Sequence, residues 1–260
     1  KDLSKTPVTT ELDNGAIISW IGYSVDLNPF KIHTLIRKGL SIFSQEKPTE
    51  ISITFLPKNI SESWVNACVY VSLVNSQSLP NLKKGAKNIV LKKLVLAGIN
   101  KCDLSKTLAL VNGNTLTRNL TITPPNDLTP TIYKAKIKQL AKQHKWIYKD
   151  YSMSQLKKMG AGAFVAVGQG SEPEDAVIIH LKYNAKNSKK TVALVGKGIC
   201  FDTGGHNLKP AKYMSGMHED MNGSAVVLGI LQAATEAKLP LNLDCWLAIA
   251  QNHIGPKAYK

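Results

Sequence analysis

The chain has 260 residues, a hydrophobic content of 43% and a formal net charge of +15. Length and composition are typical of a globular protein with one large domain or two smaller ones. No apolar run approaches the roughly 20 residues that cross a bilayer. The first fifteen residues also lack the apolar core of a signal peptide, so we expect neither a membrane-spanning nor a secreted protein.

The basic excess is almost entirely lysine, with only two Arg among 33 basic residues. These lysines are spread along the chain, and Arg is the better residue for bidentate phosphate recognition. We therefore interpret the lysines as side chains on solvent-exposed faces, and nucleic-acid binding stays a minor option. The four cysteines are scattered, which indicates neither a disulfide framework nor a zinc cluster and favours a cytoplasmic protein.

The first hundred residues predict a small α/β domain. Strands are predicted where apolar, β-branched residues cluster: 17–25, 51–56 and 88–96. Residues 63–73 are apolar enough for a buried helix or a buried strand, and their periodicity does not settle which. Residues 107–119 start the second domain or form a linking helix. The boundary is therefore predicted near Ser105, which gives domains 1–105 and 106–260.

The second domain alternates helices with strands. Residues 129–144 predict a helix with Pro130 in its first turn. The other predicted elements are strands at 145–150, 164–168, 176–183, 191–195 and 241–250, and helices at 154–160 and 224–237. This alternation predicts an α/β fold whose sheet is covered on both faces.

The most informative segment is VGKGICFDTGGHNLKPAKYMSGMHEDMNG, residues 195–223. It lies between a predicted strand and a predicted helix. Lys197, Asp202, Lys209 and Asp220 are therefore predicted on loops around a strand end, where α/β proteins usually bind ligands. Paired glycines at 204 and 205 permit a tight turn with positive φ.

The residue types in this segment suit metal chemistry. Asp202 and Asp220 offer the hard oxygen donors that hold Mg, Mn or Zn ions. A lysine beside a cation loses its proton more easily, so Lys197 could ligate as a neutral amine. A charged Lys209 would stabilise negative charge on a carbonyl oxygen under attack.

Simpler interpretations of the same residues stay open. Each Asp could be a turn residue and each Lys a solvated charge. The glycines could cradle a phosphate, although the segment matches neither GxxxxGK[ST] nor GxGxxG. His206 lies inside the segment, and we interpret it as solvent-facing rather than as a ligand.

The run VGKGICFDTGGHNLKP followed by MHEDMNGSA closely resembles the core of the leucyl aminopeptidase family, the two-metal cytosolic aminopeptidases. LTITPPNDLTP (120–130) and GAGAFVAVGQGSEPEDAVIIHLKY (160–183) resemble family segments that precede this core in the same order. The resemblance spans roughly residues 108–260. It implies a small N-terminal α/β domain followed by a catalytic α/β domain with a mixed sheet flanked by helices.

The resemblance also implies a role for each matching residue. Lys197 would be the amine ligand of one metal, Asp202 the carboxylate shared by both metals, and Asp220 a ligand of the same metal as Lys197. Lys209 would be the catalytic lysine that polarises the scissile carbonyl. Met217 would line the pocket for the substrate's first side chain.

The family completes its site with a later NTDAEGR-type motif, which supplies further Asp and Glu ligands and an Arg that holds bicarbonate. No segment of this sequence matches that motif. We therefore expect a truncated aminopeptidase that is inactive alone. The cofactors implied for the intact family are bicarbonate and two divalent ions, Mn or Zn, with Mg or Co also compatible. The implied partners are peptide substrates and other copies in a homo-hexamer, with no membrane.

Two alternatives from other classes are kept. The chain could be a non-catalytic binding module that retains the scaffold without the reaction, or a protein that binds DNA weakly through its lysines. Retention of Lys197, Asp202, Lys209 and Asp220 argues against a decayed site.

Overall fold

The computed structural model describes residues 6–81, 83, 90–186 and 188–259. The chain divides into two compact units, Lys1–Val111 and Asn112–Lys260. The division falls inside helix α3 (Ser105–Ile122). The domain boundary near Ser105 stays a prediction. Within the described residues, no helix is both long and apolar enough to cross a membrane.

The first unit is built from two small two-stranded sheets and two long helices. Its elements before α3 are β1 (Val8–Glu11), β2 (Ile17–Trp20), α1 (Pro29–Glu46), β3 (Glu50–Thr54), α2 (Glu62–Asn75) and β4 (Lys93–Ala97). β1 and β2 pair antiparallel, whereas β3 and β4 pair parallel. Ile36 of α1 and Trp64 and Val65 of α2 are buried in its core.

This unit has the α/β character that the sequence predicts. The ambiguous segment 63–73 is helical, within α2, and the predicted strand 51–56 corresponds to β3. The prediction for 88–96 falls partly outside the described residues, and β4 covers its later part. α1 and β1 have no counterpart among the predicted elements.

The second unit carries a four-stranded mixed sheet flanked by helices, as predicted. Its elements after α3 are α4 (Pro130–His144), β5 (Ile147–Ser152), α5 (Met153–Lys158), α6 (Gly162–Gly168), β6 (Val177–Tyr183), β7 (Thr191–Asp202), α7 (Ala211–Met214), α8 (Asn222–Glu236) and β8 (Asn242–Asn252). The strand order is β5-β6-β8-β7. Only β7 and β8 run parallel among the pairs of this sheet.

The main core lies where α4 and α8 pack on one face of this sheet. Ile137 of α4 and Leu228 of α8 meet Leu181, Leu247 and Ile249 of the strands, all with no solvent exposure. Burial of such side chains is the main stabilising contribution to a fold of this kind. The sheet edge that carries the conspicuous segment therefore lies on a well-packed scaffold.

The predicted strand at 164–168 is wrong, because these residues form helix α6. Val165 N–H donates to Ala161 O, and Gln169 N–H donates to Val165 O, so the backbone closes helical turns. A short apolar run does not distinguish a strand from a buried helix. Close packing accompanies this helix, since a Cβ at Gly168 would lie 2.8 Å from Ala176 Cβ.

β7 is much longer than the predicted strand 191–195, since it continues to Asp202. The glycines at 196 and 198, which lie beyond the predicted strand, serve close packing within β7. A Cβ at Gly196 would lie 2.6 Å from Ser224 Cα, and a Cβ at Gly198 would lie 2.5 Å from Ile249 Cδ1. The loop placement predicted for Lys197 and Asp202 is therefore wrong, because both lie within the strand, Asp202 as its last residue.

Candidate metal centre

A bulge in β7 brings Lys197 and Asp202 to the same face of the sheet. Lys197 pairs with Ala248 and Asp202 pairs with Asn252, with a register shift between Ile199 and Asp202. Residues five apart on a regular strand face opposite sides, but the extra residue of the bulge reverses this. Their partners on β8 are four apart and share one face. Asp202 is the last residue of β7, at the carboxyl edge of the parallel pair.

Lys209 and Asp220 are positioned by the segments that follow β7. The backbone turns sharply at Gly204 and Gly205, whose φ angles are +89° and +64°. The loop closes where Lys209 N–H donates to Thr203 O at 2.9 Å. Asp220 directly follows a 3₁₀ turn, Met217–Glu219, and precedes α8. The predicted loop positions of Lys209 and Asp220 and the positive φ of both glycines are confirmed.

Lys197 and Asp220 form one ion pair. Lys197 Nζ lies 2.6 Å from both carboxylate oxygens of Asp220 and donates its hydrogen bond to Oδ1. The Lys197 side chain is 59% exposed, whereas that of Asp220 is 18% exposed. Asp220 Oδ2 is buried and accepts no hydrogen bond from any described residue. Its charge partner is the Lys197 ammonium 2.6 Å away, so a cation would reach this oxygen only if that ammonium moved aside.

Lys209 and Asp202 form a second, more enclosed ion pair. Lys209 Nζ lies 2.7 Å from Asp202 Oδ2 and 3.2 Å from Met217 Sδ. Asp202 Oδ1 accepts hydrogen bonds from Gly204 N–H at 2.9 Å and from Asn252 Nδ2 at 2.8 Å. Every oxygen of Asp202 therefore has a partner, and the pair belongs to a network.

Hydrogen bonding keeps Asp202 ionised. Partial burial acts to raise its pKa, but donation from Lys209, from Gly204 N–H and from Asn252 lowers the pKa below its usual value. Nearby Cys200 behaves differently, because burial raises the pKa of its thiol to about 12. Cys200 is therefore a protonated packing residue at neutral pH rather than a ligand.

The two ion pairs are linked through the 3₁₀ turn. Met217 begins that turn and contacts Lys209, and Asp220 follows the turn and binds Lys197. All five residues singled out in the sequence thus lie around one end of β7. Of the histidines in the segment, His206 is exposed, as predicted, and His218 Nε2 lies 3.8 Å from Glu219 Oε1.

Two further residues of this edge, Asn252 and Thr203, were missed in the sequence analysis. Asn252, at the end of β8, donates to Asp202, and its backbone oxygen accepts bonds from Thr203 N–H at 2.9 Å and Thr203 Oγ1 at 2.8 Å. The sequence does contain a signal for Asn252, because both strands of a parallel pair end at the same edge of the sheet. A polar residue at the end of the strand beside β7 was therefore a candidate.

The side chains at this edge include the kinds of ligand that a hard divalent cation prefers, but they are few. Two carboxylates and an amine converge on the end of β7, and Asp220 Oδ2 lacks a hydrogen bond. Across the described ranges, no three His, Cys, Asp or Glu residues cluster closely enough to hold a metal ion. A cation here would accordingly rely on the Lys197 amine and on ligands beyond these residues.

Comparison with known proteins gives a family match that lies within the second unit. Residues 115–260 match the cytosol aminopeptidase family, catalytic domain. A probable cytosol aminopeptidase of Stutzerimonas stutzeri is 42% identical over 178 residues, which are 65% of this chain and 36% of the relative. One from Legionella pneumophila is 36% identical over 195 residues, which are 74% of this chain and 40% of the relative. The chain thus spans little more than a third of these relatives.

Solved structures extend the fold match over both units. The bottromycin maturation enzyme BotP, solved in complex with Mn, aligns over 97% of this chain and 55% of its own length, with a TM-score of 0.81 and 23% identity. The apo leucyl aminopeptidase of Trypanosoma cruzi aligns over 97% of this chain and 52% of its own length, with a TM-score of 0.77 and 23% identity. The fold likeness includes the first hundred residues, where the sequence carries no recognisable motif. Together with the match of its second unit, this fold and site place the chain in the cytosol aminopeptidase family.

Proposed function

We propose that the protein carrying this chain is a metal-dependent aminopeptidase that releases N-terminal amino acids from peptides. The observation that carries the proposal is the meeting of two Lys–Asp pairs at the end of β7, within a cytosol aminopeptidase catalytic domain. In this proposal Lys197, Asp202 and Asp220 hold a pair of divalent cations, Mn or Zn, with Asp202 shared between them. When bound, such cations supply a Lewis acid and make water a stronger nucleophile near neutral pH.

Lys197 and Asp220 fit the role of ligands because their contact can open. The Lys197 side chain is more than half exposed, so it is free to move, and a cation bound beside it would displace the proton of its ammonium. Asp220 is mostly buried, and its Oδ2 meets no hydrogen-bond donor other than this ammonium among the described residues. A cation would therefore take the place of the Lys197 proton beside the Asp220 carboxylate.

Lys209 fits a different role, that of a lysine that keeps its positive charge. Its side chain is 28% exposed, and its ammonium contacts Asp202 and Met217. In this position it would stabilise the negative charge that develops on the substrate's carbonyl oxygen. Met217, in contact with Lys209, would line the pocket for the first side chain of the peptide.

The donor count supports a further part of the proposal: these 260 residues alone do not turn over substrate. One amine and two carboxylates are too few side chains to clamp two cations, and among the described residues no third carboxylate lies close enough to complete a cluster. Relatives are roughly three times as long as the matched region. In the complete protein we expect an NTDAEGR-type segment to add ligands and an Arg that binds bicarbonate, and we expect a cytoplasmic homo-hexamer.

The test is release of p-nitroaniline from leucine and alanine p-nitroanilides by the complete protein, with and without Mn²⁺. We expect metal-dependent release that the Asp202→Asn variant loses, since the shared carboxylate is then a weaker ligand. Blocking the substrate's amino group by acetylation should also stop release. Release that persists in the presence of a chelator, or in Asp202→Asn, would contradict the proposal.

A further inference from the structure

Asp202 has a second support besides Lys209, and it comes from the neighbouring strand. Asn252 is the last residue of β8 and pairs directly with Asp202 across the parallel ladder. Its Nδ2 donates to Asp202 Oδ1 at 2.8 Å. A neutral amide fixes a carboxylate without cancelling its charge, whereas an ammonium neutralises it.

The backbone of Asn252 fixes the turn that follows Asp202. Its carbonyl oxygen accepts from both the N–H and the hydroxyl of Thr203, at 2.9 and 2.8 Å. Gly205 passes so close that a Cβ there would lie 3.1 Å from Asn252 Oδ1. One residue of β8 therefore holds Asp202, Thr203 and the glycine turn in a common arrangement.

The two oxygens of Asp202 have different kinds of partner. Oδ1 is bound by Gly204 N–H and by the Asn252 amide, both fixed by the strand ends. Oδ2 is bound by the ammonium of Lys209, at the end of a long side chain. If Lys209 turns to another partner, Oδ1 stays held and Oδ2 becomes free.

We propose that Asn252 is a positioning residue of the metal centre: its amide anchors Asp202 Oδ1 so that Oδ2 faces the cation. This inference rests on the proposed metal-dependent function, because it assigns a supporting residue to that site. Partners that orient ligands in this way typically contribute about 10- to 100-fold to metal affinity.

The test compares two asparagines of the same strand in the complete protein. Asn252→Leu keeps the size of the side chain and removes the amide. Asn242→Leu is the matched control, because Asn242 begins β8 and serves only as a loop partner there, where its Oδ1 accepts from Ala185 N–H at 2.9 Å. Mn²⁺ binding is measured by calorimetry with the metal alone, and folding is measured by circular dichroism.

We expect Asn252→Leu to bind Mn²⁺ about 10- to 100-fold more weakly than the unmodified protein, while Asn242→Leu binds it within about twofold. Asn252→Ser, which is smaller and too short to reach Asp202, should show the same loss and serves if Asn252→Leu fails to fold. Asn252→Gln, which keeps an amide, should retain part of the affinity that Asn252→Leu loses, which a purely structural role would not predict.

Three outcomes overturn the inference. Mn²⁺ affinity in a folded Asn252→Leu or Asn252→Ser equal to that of the unmodified protein removes the positioning role while leaving the metal site intact. Equal losses in the Asn252 and Asn242 variants reduce the effect to general loosening of β8. No Mn²⁺ binding by the unmodified protein refutes the metal site itself, and the inference with it.

Discussion

The two Lys–Asp pairs at the end of β7 have the same chemistry but different surroundings. Lys197 is 59% exposed beside Asp220, whose Oδ2 accepts no hydrogen bond from the described residues. Lys209 is 28% exposed beside Asp202, whose other oxygen is held by Gly204 and Asn252. The first pair is an open contact, and the second belongs to an enclosed network.

This difference shows how one short segment can use two lysines in different roles. A lysine whose side chain is free to move can become a ligand where a cation binds beside it, because the charge of the cation disfavours the ammonium form. A lysine enclosed against an ionised carboxylate keeps its charge. We therefore expect substitutions in the two pairs to fail in different ways.

The largest effect should come from the scaffold that both pairs share. Leu228 of α8 is fully buried between this helix and the sheet. Leu228→Ala should lower the free energy of unfolding by about 2–5 kcal/mol, because it removes buried methyl groups and leaves a cavity. Val226, on the same helix but 41% exposed, is the control, and Val226→Ala should cost less than about 1 kcal/mol. Urea unfolding measures both, and equal values would show that α8 does not pack as described.

Lys209→Ala should remove most turnover of the complete protein. Loss of a donor that stabilises a developing oxyanion lowers kcat by about 100- to 1000-fold. Metal content, measured by mass spectrometry, should stay unchanged. The control is Lys212→Ala, since Lys212 is an exposed lysine three residues further on, over the ring of Tyr213. Unchanged kcat in Lys209→Ala would reject the assigned role.

Lys197→Leu should weaken metal binding, whereas Lys209→Ala should lower kcat and leave metal content unchanged. Removal of an amine ligand should weaken Mn²⁺ binding by at least the ~10- to 100-fold that loss of a supporting residue costs. Calorimetry measures the affinity, and Lys182→Leu, on strand β6 of the same sheet, is the control. If Lys197→Leu binds Mn²⁺ normally and loses only kcat, the roles of the two lysines are reversed.

Local signals predicted several helices and strands of the second unit well. α4 is an example, because Thr129 caps its first turn by accepting from Ile132 N–H, Pro130 occupies the first helical position, and Lys145 ends it in the left-handed conformation. The candidate residues of the metal segment could also be chosen from the sequence, because Asp202, Asp220 and two lysines are an unusual combination in a glycine-rich run. In both cases the information lies within a few residues.

What the sequence did not reveal depends on contacts between distant segments. β7 continues past the predicted end at residue 195 through Gly196 and Gly198, where a Cβ would meet α8 or β8. The bulge that turns Asp202 to the face of Lys197 is defined by pairing with β8. Asn252 is fifty residues from Asp202 in sequence, so no local pattern joins them.

The smallest effect concerns a third Lys–Asp pair, far from the metal segment in sequence. Lys134 Nζ lies 2.9 Å from Asp150 Oδ2. Partial burial acts to raise the pKa of Asp150, but hydrogen bonds from Lys134 and Tyr148 outweigh it and lower this pKa below its usual 3.8. The stability that this pair contributes is therefore present above pH 3.8 and is lost as the pH falls toward the lower folded pKa.

Because this pair is partly exposed, its contribution should be under about 1 kcal/mol. Urea unfolding of the protein and of Asp150→Asn, at pH 6 and at pH 3, measures it. The difference between the two proteins should shrink at the lower pH. A difference that is equal at both pH values would show that the ionised form of Asp150 contributes nothing.

The central claim is that Lys197, Asp202 and Asp220 converge on divalent cations at the carboxyl edge of β7. A crystal structure of the complete protein soaked in Zn²⁺, with anomalous data at the zinc edge, tests it most directly. We predict an anomalous peak about 2.0–2.2 Å from donor atoms of Lys197, Asp202 and Asp220, with the contact between Lys197 and Asp220 opened. A peak elsewhere, with Lys197 Nζ still 2.6 Å from Asp220, would contradict the account.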